Sequence, residues 1–486
     1  MNRLSSFSGI APDIGKILLF LSAISSTPLI VAVIYREWPI LLPMAAVPSV
    51  FGLLGIYLRK IPHQSRETKL SVAISAVAIV WFLAALVGAL PFALILGMPF
   101  SDCVFEAMSG WTSTGLTLLP SVDSAPHALL FWRTLMQWVG GLGIIAFTIS
   151  MWQRSGLVQR GLYRSEGRSE AFMPSVTATA AKMWTMYILI TAMSFLLICI
   201  SGIPLWDALN IAMAAIATGG FSVHTEGILY YHNPLLEMLV IPVMIAGALP
   251  FKLYYYMYLK RQANIFRDPQ ARLLITLILL GFVVVFYDLV TGLSFDAATA
   301  FRQSFFMVTS AITCTGFQNG NPFVWSGATV LFFSALMLIG GATGSTAGGI
   351  KLDRILLAKD SMLWWFKRIF MSSRVVIPFH HDGKTIPITI AEVEVSKNML
   401  IIILFILTVF FGSLAILHFE SVGPYESSDV IFEVASAMCN VGVSTGFVNP
   451  GMSLLSKWLF ILVMWIGRLE IVPVLVLLTG SIRGFE

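Results

Sequence analysis

Asp102-Cys-Val-Phe-Glu-Ala-Met-Ser-Gly-Trp-Thr-Ser-Thr-Gly115 is the stretch on which the reading of this chain turns. It is moderately apolar, too short to cross a hydrocarbon core of ~30 Å as a helix, and ends on a glycine. Three further segments share its layout. Asp207-Ala-Leu-Asn210 leads to Ala217-Thr-Gly-Gly220, Gln303-Ser-Phe-Phe306 to Thr313-Cys-Thr-Gly316, and Asp429-Val-Ile-Phe-Glu433 to Cys439-Asn-Val-Gly442. The spacing from Asp102, Asp207, Gln303 and Asp429 to the closing glycine is 13 in all four, with Phe105, Phe306 and Phe432 in register. Such segments, near 102–114, 206–219, 302–315 and 428–441, predict re-entrant half-helices.

The rest of the chain supplies the scaffold. Of 486 residues, 57% are hydrophobic and 11% charged, against about 25% charged in soluble domains. This excludes a soluble fold, a disordered chain and a nucleic-acid module. Continuous apolar runs of about 20 residues disfavour a β-barrel. Ten spans are predicted, at 16–35, 39–58, 70–97, 128–152, 182–202, 235–259, 272–292, 327–350, 397–419 and 452–480. The net charge is +5, and the four cysteines form no CxxC pair.

Basic residues orient the spans. With the N-terminus cytoplasmic, the inner loops hold Arg59, Lys60, Arg66 and Lys69, then Arg154, Arg160, Arg164 and Arg168. They continue with Lys260, Arg261 and Arg267, then Lys351, Arg354, Lys359, Lys367, Arg368 and Arg374. The outer side receives Arg36, Arg133, Arg302 and Lys457. Full crossing by the four short segments would scatter the basic loops to both sides.

The predicted fold is an all-α polytopic membrane protein. Four parallel helix–pore-helix–helix repeats surround a central pore, behind an extra helix pair at 1–69. The repeats are 70–168, 169–268, 269–384 and 385–486. Two crossings per unit give all four the same orientation. The C-terminal ends of the half-helices, each about half a negative charge, then meet on one axis. That arrangement suits a cation stripped of water, because carbonyl oxygens replace its hydration shell. The candidate strands are Ser113-Thr114-Gly115, Thr218-Gly219-Gly220, Cys314-Thr315-Gly316 and Asn440-Val441-Gly442. Side chains differ among the strands, which points to backbone carbonyls as ligands. Packing glycines, as in Gly140-Gly-Leu-Gly143, are the alternative.

Two features below these strands read as a gate, with plain small-residue helix packing as the alternative for the first. The eighth span is interrupted by ten small residues that include Gly340, Gly341, Gly344, Ser345, Thr346, Gly348 and Gly349, with Lys351 beyond. So many glycines disfavour a helix, and the Gly-Lys-Ser/Thr of a phosphate loop is missing. Arg468 lies within an apolar run, where a charge is tolerated only against a wet pore or an acidic partner. Asp102, Asp207 and Asp429 suit helix N-caps, and Tyr254-Tyr-Tyr-Met-Tyr258 suits an interfacial belt. The seven histidines show no ligand spacing, and no nucleophile–base arrangement marks an enzyme.

Gln137-Trp-Val-Gly-Gly-Leu-Gly-Ile145, Ala217-Thr-Gly-Gly-Phe-Ser222, Gly340–Lys351, Gly467-Arg-Leu-Glu470 and the four repeats resemble the membrane subunit of bacterial Trk-type potassium uptake systems (TrkH-like), of the Trk/Ktr/HKT superfamily. The resemblance covers essentially the whole chain. It implies K⁺ selectivity, a homodimer with one pore per subunit, an inner-membrane location and a cytosolic nucleotide-binding TrkA-like partner. K⁺ is the cargo, with no organic cofactor in this chain. The resemblance also assigns filter glycines to Gly115, Gly220, Gly316 and Gly442, and a joint pore block to Gly340–Gly349 with Arg468. The tail of the fourth strand, Val443-Ser-Thr-Gly446, departs from the family pattern. Relatives with altered filters carry Na⁺ as well. An H⁺- or Na⁺-coupled symporter is the alternative mechanism.

Overall fold

The computed structural model describes residues 10–61, 70–143, 176–260, 265–371 and 377–483. The chain opens with α1 (Ala11–Ile24) and α2 (Thr27–Ile34), which form one kinked span, and returns through α3 (Leu41–Arg59). The first repeat is α4 (Leu70–Gly88) continued by α5 (Leu90–Leu96), half-helix α6 (Phe100–Trp111), and α7 (His127–Leu142). The second is α8 (Val176–Cys199), half-helix α9 (Leu205–Ile216), α10 (Pro234–Ala248) and α11 (Phe251–Tyr255). The third is α12 (Pro269–Thr291), half-helix α13 (Ala297–Ile312), α14 (Gly327–Leu338) and α15 (Leu352–Ile369). A hairpin of β1 (Phe379–His381) and β2 (Lys384–Ile386) links it to the fourth: α16 (Ile388–Phe419), half-helix α17 (Ser427–Met438), α18 (Leu454–Arg468) and α19 (Val472–Arg483).

The four half-helices appear where the repeat predicts them. Pro99 and Pro204 are the residues just before α6 and α9, with ψ of 143° and 139°, so each helix starts cleanly after them. Asp296 caps α13 by accepting from Thr299 N, and Glu426 with Asp429 forms a capping box on α17. None of Asp102, Asp207 and Asp429 is therefore itself an N-cap: Asp429 is the N3 residue of that box, and the other two sit in the first turns, where Asp102 binds Lys457 (2.8 Å) and Asp207 faces His224 (3.4 Å). Phe105, Phe306 and Phe432 are buried at their shared register. In the second repeat that place belongs to Asn210.

Six helices or continuous pairs are long and apolar enough to span among the described residues, and two further spans are bent. The run at 235–259 folds as α10 and α11 with a bend of 99°, and the run at 452–480 as α18 and α19 with a bend of 111°. The span predicted at 327–350, with its small-residue interruption, is a 12-residue helix followed by a non-helical segment to Ile350. α7 likewise stops at Gly143, which has φ 92°. Hydropathy reads straight through such breaks because the residues on both sides stay apolar. The Tyr254–Tyr258 run is not wholly a belt either: Tyr254 and Tyr255 turn inward and are buried.

Apolar side chains cover the outside. Leu279, Leu280 and Val283 on α12, and Ile403, Ile406, Phe410 and Leu414 on α16, are exposed, as lipid contact requires. Of the basic residues placed outside by the sequence, Arg133, Arg302 and Lys457 pair with Glu106, Glu237 and Asp102. Of the predicted inner cluster, Arg66, Lys69, Arg154, Arg160, Arg164, Arg168, Arg261 and Arg374 lie outside the described residues. So do Ile145 and residues 144–152 of the fourth predicted span.

Candidate functional site

Each half-helix ends the same way. After the last helical turn comes a non-glycine residue in the left-handed region: Ser113 (φ 54°), Thr218 (φ 50°), Cys314 (φ 54°) and Asn440 (φ 52°). The next amide, from Thr114, Gly219, Thr315 and Val441, reaches back to the carbonyls of Ser109, Ala214, Ser310 and Ser436 at 2.8–2.9 Å. This is a Schellman closure, normally built on glycine. A side chain held left-handed costs about 1–2 kcal/mol, so the surroundings impose the turn four times.

The next residue in each strand is Gly115, Gly220, Gly316 or Gly442, with φ 95°, 76°, 85° and 92°. A Cβ on Gly115 would stand within 2.5 Å of the Gly219 carbonyl oxygen, and one on Gly220 within 2.5 Å of that of Thr315. A Cβ on Gly316 would meet Val441 O, and one on Gly442 would meet Thr114 O, at no greater distance. The four close approaches run from each repeat to the next and return to the first. All twelve predicted strand residues are thus brought together in one closed ring, at the convergent C-terminal ends of α6, α9, α13 and α17.

Side chains are engaged behind the ring. Ser113 Oγ donates to Gln137 O (3.0 Å), and Asn440 Nδ2 donates to Thr114 Oγ1 (2.9 Å) and Met464 O (3.1 Å). Gln137 on α7 braces the second strand, donating to Gly219 O and accepting from Phe221 N (3.1 Å). Gln318 braces the fourth strand, donating to Ser444 O (2.9 Å) and accepting from Ser444 N (3.3 Å). These bonds hold the strands in place, and one of them, from Gln137, ends on a strand carbonyl, that of Gly219.

Two glutamates missed by the sequence reading support the strands. Glu106 and Glu433 each lie nine residues before the ring glycine. Glu106 accepts from Thr117 Oγ1 (2.9 Å) and Leu118 N (3.1 Å), and pairs with Arg133 at 2.8 Å. Arg133 also donates to Ser222 O (3.1 Å) and covers the Phe221 ring. Glu433 accepts through Oε1 from Ser444 Oγ (2.6 Å), Thr445 N (2.8 Å) and Thr445 Oγ1 (3.1 Å). The signal was present in the sequence: a glutamate at the same register of the first and fourth repeats.

Below the ring, residues 340–350 fold back compactly. Gly340 N donates to Ile350 O (3.0 Å), Ile350 N to Leu338 O (2.9 Å), and Leu352 N to Gly341 O (3.1 Å). Phe251 N donates to Gly344 O (3.2 Å), and Ser345 Oγ to Ala342 O (2.7 Å). Thr346 Oγ1 lies 2.9 Å from both Ile216 O and Gly247 O. Gly348 lies so close to Cys439 O that a Cβ there would collide with it, and Gly349 has φ 65° against Gly340. Lys351 Nζ donates to Ala347 O.

Arg468, at the end of α18, joins these parts. Nη1 donates to Thr346 O (2.9 Å), and Nη2 to Gly140 O and Gly141 O (2.5 Å each), so one guanidinium bridges the first, third and fourth repeats. Glu470 pairs with Arg354 rather than with Arg468. A cavity of about 30 Å³ adjoins them, lined by Trp81, Ser345, Gly348, Lys351, Arg468 and Glu470. That is room for about one water molecule. All nine predicted gate residues therefore lie in this one layer or border it.

Four parallel half-helices closing a ring of backbone inside an apolar helical scaffold define a membrane transport protein for a cation. The comparisons agree. The chain belongs to the TrkH family, described as "Cation transport protein", which matches residues 58–482; this is a family of transporters, not of enzymes. It is 34% identical over 471 residues to MJ1485 of Methanocaldococcus jannaschii, described as an uncharacterized cation transporter, covering 96% of this chain and 94% of that one. It is 30% identical over 496 residues to the Trk system potassium uptake protein TrkH of Escherichia coli K12, covering 98% and 99%. The crystal structure of the potassium transporter TrkH from Vibrio parahaemolyticus superposes with a TM-score of 0.84 at 25% identity, covering 98% of this chain and 99% of that one.

Proposed function

We propose that this protein is the membrane subunit of a Trk-type potassium uptake system, passing K⁺ through a gated, K⁺-selective pore. The observation that carries the reading is the cyclic contact of Gly115, Gly220, Gly316 and Gly442 with the carbonyl of the neighbouring strand. Such a ring offers a dehydrated alkali ion oxygens on every side. The names of the relatives from E. coli and V. parahaemolyticus supply the choice of potassium. The layer of Gly340–Gly349 and Arg468 acts as the gate: its positive charge lies beneath the ring, and opening requires the Arg468 bonds to Thr346, Gly140 and Gly141 to break. The repeats take the bounds 70–168, 169–268, 269–384 and 385–486. The protein works as a homodimer in a bacterial inner membrane, N-terminus cytoplasmic, with a cytosolic TrkA-like partner that binds the nucleotide.

Tracer uptake of Rb⁺ against Na⁺ into proteoliposomes tests this. Rb⁺ influx is expected to follow an imposed voltage, to exclude Na⁺, and to lose that discrimination in Gly316→Ser. Flux that starts only when a pH or Na⁺ gradient is added would replace the channel with a coupled symporter.

A further inference from the structure

Glu106 and Glu433 occupy one register and hold equivalent strand residues, two and three places beyond the ring glycine. Their surroundings differ in charge. Arg133 neutralises Glu106. Glu433 is fully buried, and among the described residues it has no basic partner and its Oε2 has no hydrogen-bond partner. The titratable groups around it are few. Asp429 lies one turn earlier on α17, and Tyr425, which donates to Gly446 O at 2.8 Å, precedes that helix. α14 carries no titratable residue. α16 carries Glu392, Glu394 and Lys397 near its start and His418 at its end. On α18, Lys457 is committed to Asp102, and Arg468 to the three carbonyls named above.

A buried carboxylate without a counter-ion is costly, and taking up a proton removes the charge. We propose that Glu433 is a proton-binding site behind the fourth filter strand, through which external pH sets cation flux. This rests on the transport reading of the ring. When Glu433 ionises, the O–H bond of Oε2 breaks and the proton passes to water beside the half-exposed Ser444 and exposed Gly446. The carboxylate then tightens its bonds from Ser444 and Thr445 and adds negative charge at the outer side of the ring, raising the local cation concentration. Flux increases as the proton leaves. The first repeat, with Arg133 in place, lacks this response.

The test measures Rb⁺ uptake into proteoliposomes across external pH for the wild type, Glu433→Gln and Ser444→Ala. Infrared difference spectra of the protonated-carboxyl stretch are recorded on the same samples. The wild type is expected to show a several-fold rise with pH. Glu433→Gln stays at the low-pH level and loses one carboxyl band. Ser444→Ala, which removes a donor to the charged form, moves the rise upward by about one pH unit. A pH response retained in Glu433→Gln, a band unchanged by that substitution, or no displacement in Ser444→Ala would overturn the proposal. If no variant carries Rb⁺ but the band is lost in Glu433→Gln, the proton site stands and the transport reading fails.

Discussion

Arg133 and Glu106 show what a single pair of residues does at this depth. Both side chains are almost wholly buried, 2% and 0% exposed, and the arginine reaches the first strand, the second strand and an aromatic face. Breaking a buried ion pair from one side leaves an uncompensated charge, at a cost of about 3–5 kcal/mol. Arg133→Met should therefore lower the thermal midpoint in detergent sharply. Arg133→Met combined with Glu106→Gln should recover much of the loss, because no charge is then stranded. Equal destabilisation of the single and double variants would contradict this account. The sequence showed Arg133 only as a charge on the outer side. Hydropathy counts charges and is blind to partners contributed by other helices.

At the scale of the element, the end of α18 is joined to a segment more than a hundred residues earlier in the chain. Arg468 binds Gly140 O and Gly141 O where α7 stops at Gly143, with Gly140 O also accepting from Gly143 N (3.0 Å), and binds Thr346 O where residues 340–350 leave the helix. Replacing it removes both the latch and the positive charge that the proposed gate places in the path. Arg468→Ala is expected to raise basal Rb⁺ flux several-fold in proteoliposomes at normal expression, and unchanged flux would refute its role as a barrier. The half-helices were legible because a 13-residue spacing recurs four times. The breaks at Leu249-Pro250 and Leu469–Ile471 were not, because apolar residues continue on both sides and only the three-dimensional packing decides where the helix stops. The glycine-rich segment was legible as non-helical. Its hydrogen bonds to Ile216, Gly247 and Phe251 come from the second repeat and left no trace in local sequence.

For the whole molecule, the hairpin of β1 and β2 connects the third repeat to the fourth and fastens to α15, the helix that follows residues 340–350. His381 in β1 faces Asp360 (3.0 Å) and Asp353 (3.5 Å) on α15. The bond to Asp353 foremost, then that to Asp360, raises the imidazole to about 9 against the effect of burial. The folded value lies above the ordinary ~6.5. The clamp therefore contributes fully below about pH 6.5 and is lost as pH rises through about 9. Amide exchange in residues 379–386, corrected for intrinsic rates, should quicken across that window in the wild type. In His381→Gln it should be fast at every pH. Slow exchange in that variant would show that the hairpin holds without the clamp.

The ring of close approaches is built by a single polypeptide. In a pore assembled from four copies of one polypeptide, any altered codon appears around the whole circumference at once. Here one gene encodes four different quadrants, so each can drift alone while the other three preserve the geometry. Ser113, Thr218, Cys314 and Asn440 already differ at one and the same turn. Single, double, triple and quadruple replacements can therefore be made in one reading frame, so that the proposed ion discrimination can be graded quadrant by quadrant.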